Sequence, residues 1–181
     1  LHDLDRLTHE MRLFKDLQEI SIMKQAARIS ALAHIRAMKY CQVGLREYHL
    51  EAELIHEFRR QGAQSTAYNS IVATGANSCI LHHRAGNAEL KVGDLCLIDA
   101  GCELDGYASD ITRTFPVKGS FSGEQLAIYE IVLAAQVAAL DQTKPGNSFN
   151  DPHDAAVKII TQGLIDLGII SESLDLAIEQ K

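Results

Sequence analysis

The chain has 181 residues, which is enough for one domain with a substantial core, and we expect one domain rather than two. Its hydrophobic residues (46%) and charged residues (23%) are typical of a globular protein and argue against disorder. The net charge of −7 provides no basic footprint for nucleic acid or an anionic membrane, so we expect neither partner.

The four cysteines form no Cys-x-x-Cys pair and are too few for a disulfide scaffold. Cys96 and Cys102 lie in an apolar run, where a buried reduced thiol is the ordinary interpretation. This use of cysteine predicts a reducing compartment and hence a cytoplasmic location. We find no apolar stretch near the roughly 20 residues that span a bilayer, and so expect no membrane segment.

The first part of the chain predicts two helices. Residues 1–15 have no clean period and are interpreted as an irregular lead-in. Residues 16–19 have the form of a capping box, and apolar residues then recur at helical spacing as far as residue 40. A second helix is predicted over residues 46–60, ended by Gly62.

The middle of the chain predicts strands. Residues 68–73 and 80–83 are interpreted as short strands, and the apolar run 95–100 as a strand buried on both faces. The Asp105-Gly106 pair is typical of a tight hairpin, and residues 107–117 form the returning strand.

The last third predicts helices again. Residues 122–125 form a second capping box, and Asp151 followed by Pro152 predicts a cap and first position for a helix to about residue 167. Residues 171–180 could add a short helix. This order of elements predicts an α+β domain, in which helices cover one face of a largely antiparallel sheet.

The hairpin around residues 105–106 predicts where two acids point. A two-residue turn places Asp99 opposite Thr112 and Gly101 opposite Asp110. Because side chains alternate along a strand, Asp99, Asp110 and Thr112 should share one face, with the acids as diagonal neighbours about 7–8 Å apart at the backbone. That spacing suits ligands of a metal pair, and two buried acids would need such compensation.

Spacing alone leaves structural roles open for these residues. Asp110 could form a salt bridge with Arg113 or cap a backbone amide, and Asp99 could hydrogen-bond the turn at Gly101. Thr112 is either a hydrogen-bond donor to a ligand carboxylate or an ordinary β-branched strand residue.

The run from Leu97 to Pro116, with its Asp-Ala-Gly and Asp-Ile-Thr-Arg-Thr-Phe blocks, resembles the signature of Xaa-Pro aminopeptidases. Those enzymes are pita-bread metallopeptidases, together with proline dipeptidase, creatinase and methionine aminopeptidase. Shorter similarities occur at residues 10–15, 47–51 and 68–72. The resemblance implies a partial pita-bread fold.

The resemblance also implies roles for individual residues. Asp99 matches the family's bidentate ligand of the first metal, and Asp110 matches the carboxylate that bridges both metals. His82 matches the substrate-side histidine near the scissile bond, although a histidine closing an apolar strand is more often structural. His83 falls where the family varies and is interpreted as a surface residue.

By the same resemblance, the parent enzyme releases the N-terminal residue from peptides with proline in second position. It uses two divalent metal ions, Mn²⁺ by preference with Zn²⁺ or Co²⁺ as substitutes, and is expected to be a homo-oligomer. Proline dipeptidase and a non-catalytic, peptidase-like binding module are the alternatives.

Parts of the family's pattern are missing from the sequence. Its later motifs, which resemble His-Gly-x-x-His and Glu-Pro-Gly and supply one histidine and two glutamates as ligands, do not occur. Residues 1–181 are therefore interpreted as the N-terminal portion of the catalytic domain, without the family's N-terminal domain or the C-terminal part of the catalytic domain. We expect this chain alone to bind metal poorly and to be inactive.

Overall fold

The computed structural model describes residues 4–179. The chain forms two compact units, Leu1–Ser120 and Phe121–Lys181. The first contains helices and all the strands of the described residues, and the second contains helices. Chain length alone did not predict this second unit.

Three helices precede the strands of the first unit: α1 (Asp5–Leu13), α2 (Leu17–Tyr40) and α3 (Glu47–Arg60). The sequence predicted an irregular segment over residues 1–15, and this prediction is wrong for the residues of α1. Residues 1–3 lie outside the described residues. None of the side chains of α1 is buried. Leu4, Leu7 and Met11 nevertheless recur at helical spacing, which is the signal that could have predicted α1.

The ends of α2 and α3 follow the local sequence. Asp16 Oδ1 accepts from the backbone N–H groups of Gln18 and Glu19 at 2.8 Å each, and Glu19 Oε2 accepts from the Asp16 N–H at 2.7 Å. The predicted capping box is therefore confirmed. Helix α3 ends just before Gly62, whose φ of +96° is the left-handed conformation that glycine adopts most easily.

Six strands of the first unit form two antiparallel sheets, in the orders β1-β4-β5 and β2-β3-β6. Helices α2 and α3 pack against strands of both sheets, which confirms the α+β class with helices against antiparallel strands. The strands are β1 (Ser65–Thr66), β2 (Ile71–Thr74), β3 (Leu95–Ala100), β4 (Cys102–Leu104), β5 (Tyr107–Ala108) and β6 (Ile111–Pro116).

The hairpin is interrupted where its two arms come closest. A Cβ atom on Gly101 would lie 1.7 Å from the Ser109 carbonyl oxygen, so only glycine permits this approach. The outgoing arm is divided here into β3 and β4, and the returning arm into β5 and β6. The single strand expected over residues 107–117 is therefore wrong, because residues 109 and 110 leave the ladder.

The strand expected over residues 80–83 is also wrong. A 3-10 helix, Gly75–Cys79, follows β2, and the chain then turns, with Ile80 54% exposed and Leu81 86% exposed. Two apolar residues in sequence suggested a buried strand, but neither side chain is buried. The strand predicted at residue 68 begins only at Ile71.

The core of the first unit lies between the helices and the sheets. Strand β3 alternates between fully buried and half-buried side chains, so it is buried on one face and not on both as predicted. Cys96 and Cys102 are fully buried free thiols, which confirms the prediction for them. The largest buried apolar side chains are Leu50, Leu54, Phe58, Val72, Leu90 and Ile98, of which Leu90 lies in the segment before β3.

The second unit consists of α4 (Gly123–Gln142), α5 (Asp151–Asp166) and α6 (Leu174–Glu179), with residue 180 outside the described part. The capping box of α4 is confirmed, since Ser122 Oγ accepts from the Gln125 N–H. Helices α4 and α5 pack closely, because a Cβ atom on Gly163 would lie 2.7 Å from the Ile131 side chain.

The cap predicted for α5 is displaced by one residue. The helix begins at Asp151 itself, and its carboxylate accepts from the backbone N–H of Ser148 at 2.7 Å and from the Ser148 hydroxyl at 2.8 Å. Asp151 thus reaches back over the turn that precedes the helix.

Helix α4 corrects the prediction that no stretch is long and apolar enough to span a bilayer. By length and composition alone, and among the described residues, its 20 residues meet that requirement. Glu124, Glu130 and Asp141 interrupt the apolar sequence, which is why no continuous run was visible. Composition of this kind is weak evidence for a membrane segment.

Candidate metal centre

The turn between β4 and β5 has the geometry on which the prediction depended. Asp105 and Gly106 have φ angles of +48° and +84°, the two positive values of a two-residue type I′ turn. Leu104 pairs with Tyr107, and Asp99 pairs with Thr112. The predicted register of the hairpin is therefore confirmed.

The carboxylates of Asp99 and Asp110 converge on one point. The hydroxyl oxygen of Tyr68 lies 2.5 Å from Asp99 Oδ1 and 3.0 Å from Asp110 Oδ1, so it can donate to either. A single atom within hydrogen-bond distance of both acids requires them to face the same space. The prediction that the two side chains share a face is confirmed, while their roles as metal ligands stay a prediction.

The two acids differ in burial. Asp99 is half-buried in β3, and Asp110 is exposed beside the interruption of the hairpin. Burial of both had been expected, and that expectation is wrong for Asp110. The pKa of Tyr68 is raised far above its ordinary value, first by burial and then by the hydrogen bonds to both acids, so its hydroxyl keeps its proton at all physiological pH values.

A cavity of about 470 Å³ opens at the two carboxylates. Mostly polar and charged side chains border it, from the hairpin, from the chain leading into β2 and from the segment that follows the 3-10 helix. The structure thus brings His82 to the same cavity as the acids, although 17 residues separate it from Asp99 in sequence. The lining residues are Tyr68, Asn69, Ile71, His82, His83, Arg84, Asp99 and Asp110.

Thr112 lies outside that cavity. Together with Asp99 and His82, it lines a neighbouring cavity of about 300 Å³ that also contains Leu81 and Leu97. Thr112 is exposed and lies opposite Asp99 in the ladder, as predicted, so both interpretations of its hydroxyl remain open. Arg113 donates to the Thr112 carbonyl oxygen at 2.7 Å, and no ion pair of the described residues joins it to Asp110.

His83 is not the surface residue that was predicted. Its Nε2 atom lies 2.9 Å from Glu47 Oε2, and its side chain is only 16% exposed. Glu47 is completely buried in the first turn of α3, so His83 connects the cavity wall to the core. The sequence contained no local signal for this contact, because 36 residues separate the two partners.

Tyr68 is the residue of the site to which the sequence analysis gave no role. It lies in the short similarity at residues 68–72, and a tyrosine just before a strand has no distinctive spacing. An aromatic hydroxyl facing two predicted acids could have been inferred only from the pairing of β2 with β3, which sets Ile71 opposite Asp99.

The oxygen atoms at this site fit part of a divalent metal centre. Carboxylates are suitable ligands for hard or borderline divalent cations, and Tyr68 can orient both of them. Between residues 4 and 179, no group of three or more His, Cys, Asp or Glu side chains could hold a metal ion. Asp99 and Asp110 therefore form a pair of ligands and not a complete set.

Similarity to known proteins agrees with this geometry. The profile of metallopeptidase family M24 matches residues 21–174. The Xaa-Pro aminopeptidase of Escherichia coli is 49% identical over 174 residues, which are 96% of this chain and 40% of that protein. The solved structure of Pseudomonas aeruginosa aminopeptidase PepP is 56% identical, with a TM-score of 0.96, over 98% of this chain and 40% of that one.

A zinc-substituted E. coli aminopeptidase P in complex with product is 48% identical, with a TM-score of 0.95, again over 98% of this chain and 40% of that one. The chain thus spans about 40% of the length of these relatives. Structural similarity at this level of identity confirms the partial pita-bread fold. The chain belongs to metallopeptidase family M24.

Proposed function

We propose that this chain contributes Asp99, Asp110 and His82 to the active site of a metal-dependent aminopeptidase. The whole enzyme would release the N-terminal residue from peptides with proline in second position, as the names of the relatives indicate. The observation that carries the proposal is the convergence of both carboxylates on the Tyr68 hydroxyl at the edge of one cavity.

Each residue has a proposed role. Asp99 and Asp110 would hold two divalent cations, which when bound polarise the scissile carbonyl and make water a better nucleophile at neutral pH. His82, on the wall of the same cavity, would contact the substrate near the scissile bond. Thr112 would orient the Asp99 carboxylate from the opposite strand.

Mn²⁺ is the proposed metal, with Zn²⁺ or Co²⁺ as substitutes. Carboxylate and imidazole ligands accept all three, so the ligand set alone selects none of them. The zinc-substituted relative supports the possibility of exchange in this family.

The proposal assigns this chain a partial site. The chain spans about 40% of its relatives. We propose that it corresponds to the N-terminal portion of a catalytic domain, and that the rest of a longer protein supplies the remaining ligands. That protein is proposed to be a cytoplasmic homo-oligomer that binds neither nucleic acid nor membrane. Two carboxylates hold a cation weakly, so the chain alone should not turn over peptide.

Calorimetric titration with Mn²⁺ tests the carboxylate pair. We expect weak binding to the chain, lost in Asp99→Asn and in Asp110→Asn. Asp105→Asn is the matched control, because it neutralises an exposed acid at the far end of the same hairpin and asparagine tolerates its positive φ. Equal binding by Asp99→Asn and the unsubstituted chain would refute the assignment.

Peptide hydrolysis tests the reaction class. With Mn²⁺ added, we expect no cleavage of an Xaa-Pro-Xaa tripeptide by the chain, and cleavage by the longer protein that contains it. If the longer protein cleaves only Xaa-Pro dipeptides, it is a proline dipeptidase. If it binds peptides and cleaves none of them, it is a peptidase-like binding module.

A further inference from the structure

Glu47 is a buried carboxylate outside the metal centre, with four hydrogen-bond donors around it. Its Oε1 atom accepts from the Thr74 N–H and from Asn77 Nδ2, each at 2.9 Å. Its Oε2 atom accepts from His83 Nε2 and from the Gly86 N–H, also at 2.9 Å each. The side chain is completely inaccessible to solvent.

All four donors belong to the segment of residues 74–86. A buried carboxylate is stable only when its oxygens are saturated with donors or paired with a cation. Among the ion pairs of the described residues, Glu47 is paired with one basic side chain, that of His83. The acid is therefore held almost entirely by neutral donors from a single segment of the chain.

The contacts of Glu47 lie on both sides of His82. Thr74 and Asn77 precede His82 by eight and five residues, and His83 and Gly86 follow it by one and four. A backbone contact reinforces the attachment after His82, because the N–H of Glu47 donates to the Ala88 carbonyl oxygen. One side chain of α3 thus holds the segment before and after the histidine that lines the cavity.

His82 itself has a backbone conformation that needs such support. Its φ is +54°, in the left-handed region that residues other than glycine enter only at a cost. Its neighbours Ile80 and Leu81 are 54% and 86% exposed, so apolar burial contributes little to holding the turn. The His83 N–H donates to the Ile80 carbonyl oxygen and closes the turn, and the polar contacts of Glu47 hold the chain on either side of it.

We propose that Glu47 is a positioning residue, whose carboxylate sets the place of His82 on the cavity wall through the Asn77 and His83 contacts. The role of His82 in substrate binding rests on the proposed function, but the effect of Glu47 on the position of His82 does not. The alternative is that Glu47 merely stabilises the fold, with no particular influence on His82.

Nuclear magnetic resonance of the labelled chain separates these possibilities, with no peptide or metal required. In Glu47→Gln, one acceptor oxygen becomes an NH₂ group that faces donors, so two of the four contacts are lost. We expect the amide and ring signals of His82 to shift. Of the Thr74 and Gly86 amides, which bond to different oxygens of Glu47, the one that faces the new NH₂ group should exchange about tenfold faster or more, the factor for about one hydrogen bond.

Glu57→Gln is the matched control. Glu57 is a second buried acid of α3, but its partners are Arg36, Arg60 and Gln61, away from the His82 segment. Its substitution should leave the His82 signals in place. Unchanged His82 signals in folded Glu47→Gln would overturn the proposal, as would an equal shift in Glu57→Gln.

Should Glu47→Gln fail to fold, His83 provides a milder test. His83→Ala removes one donor and should shift the His82 signals, whereas His83→Gln retains an N–H donor and should restore them. If neither substitution moves the His82 signals, or if both move them equally, Glu47 does not position His82 through His83. Because these signals need no turnover, failure of the peptidase proposal would not affect the result.

Discussion

Tyr68 is the residue that contacts both acids of the candidate metal centre. Its hydroxyl lies between the carboxylate of Asp99, in β3, and that of Asp110, just before β6, and burial together with those acids keeps it protonated. A neutral donor between two anions reduces their repulsion without adding charge. The sequence predicted the two acids from their strand register, but Tyr68 lies 31 and 42 residues away from them and reaches them only through the fold.

Tyr68→Phe tests whether this hydroxyl orients the acids or obstructs a cation. If donation from the hydroxyl to one or the other carboxylate orients the pair, Mn²⁺ affinity should fall about 10-fold or more, as for other outer partners of metal ligands. Titration calorimetry measures the change. Tyr107→Phe is the control, because its hydroxyl donates to Glu19, away from the site. Tighter binding by Tyr68→Phe would mean that the hydroxyl competes with the metal.

Glu47 should make stability depend on pH. Burial by itself raises the pKa of Glu47, but hydrogen bonds from Asn77, His83, Thr74 and Gly86 outweigh it, so the pKa is lowered from its ordinary value of 4.5. A lowered pKa contributes stability that is fully present above the unfolded pKa and is lost as pH falls through the folded pKa.

Urea unfolding of the chain and of Glu47→Gln, from pH 7 down to about pH 3, measures that contribution. We expect the variant to be less stable by about 2 kcal/mol or more at pH 7, because donors lose their acceptor. The difference should shrink as the solution becomes more acidic than about pH 4.5. A difference that does not vary with pH would contradict the assignment of the charged form to the folded state.

At the scale of elements, the sequence predicted the helices and the turn whose ends are fixed by residues next to them in the chain. Both capping boxes, at Asp16 and Ser122, were visible as residue patterns and begin helices where expected. The turn at residues 105–106 was equally explicit. The 3-10 helix was missed because it has no buried apolar face, whereas α1 was missed although Leu4, Leu7 and Met11 recur at helical spacing.

The interruption of the hairpin at Gly101 is the element-scale feature on which the acid pair depends. It lets the chain around Ser109 approach β4, and Asp110 follows directly. Buried hydroxyls support it, since Ser30 Oγ lies 2.6 Å from Ser109 Oγ and accepts from the Cys102 N–H at 3.0 Å.

Gly101→Ala should therefore destabilise the chain by about 3 kcal/mol or more, because its Cβ would overlap the Ser109 carbonyl oxygen and backbone cannot yield as a side chain can. Thermal or urea unfolding measures the loss. Gly123→Ala is the control: it lies at the start of α4 in open space, without a positive φ, and should change stability by less than about 1 kcal/mol. Similar effects of the two substitutions would show that the close approach is not maintained in solution.

At the scale of the whole molecule, the described structure leaves a stripe of large apolar side chains exposed on α4. Their spacing of three, four and seven residues places them on one face of the helix. Contiguous apolar surface of this kind promotes association in water. The stripe comprises Leu126, Leu133, Val137 and Leu140, which are between 42% and 64% exposed.

We therefore expect the isolated chain to associate with itself at micromolar concentrations. Sedimentation velocity should give a mass above 19.9 kDa that rises with concentration. The double substitution Val137→Lys and Leu140→Lys should return the chain toward the monomer. Leu7→Lys, in the exposed helix α1, is the control and should have little effect. A monomer at all concentrations would refute this expectation.

The sequence by itself determined the features that depend on neighbours along the chain. Helix caps, the two-residue turn and the alternation of side chains follow from local sterics and hydrogen bonding, and they sufficed to predict that Asp99 and Asp110 share a face. The tertiary structure decided the contacts between distant segments. Tyr68 at the acids, Glu47 beneath the His82 segment and the approach of Ser109 to Gly101 arise only when helices and sheets pack, because burial, and not sequence spacing, determines which polar groups must find partners.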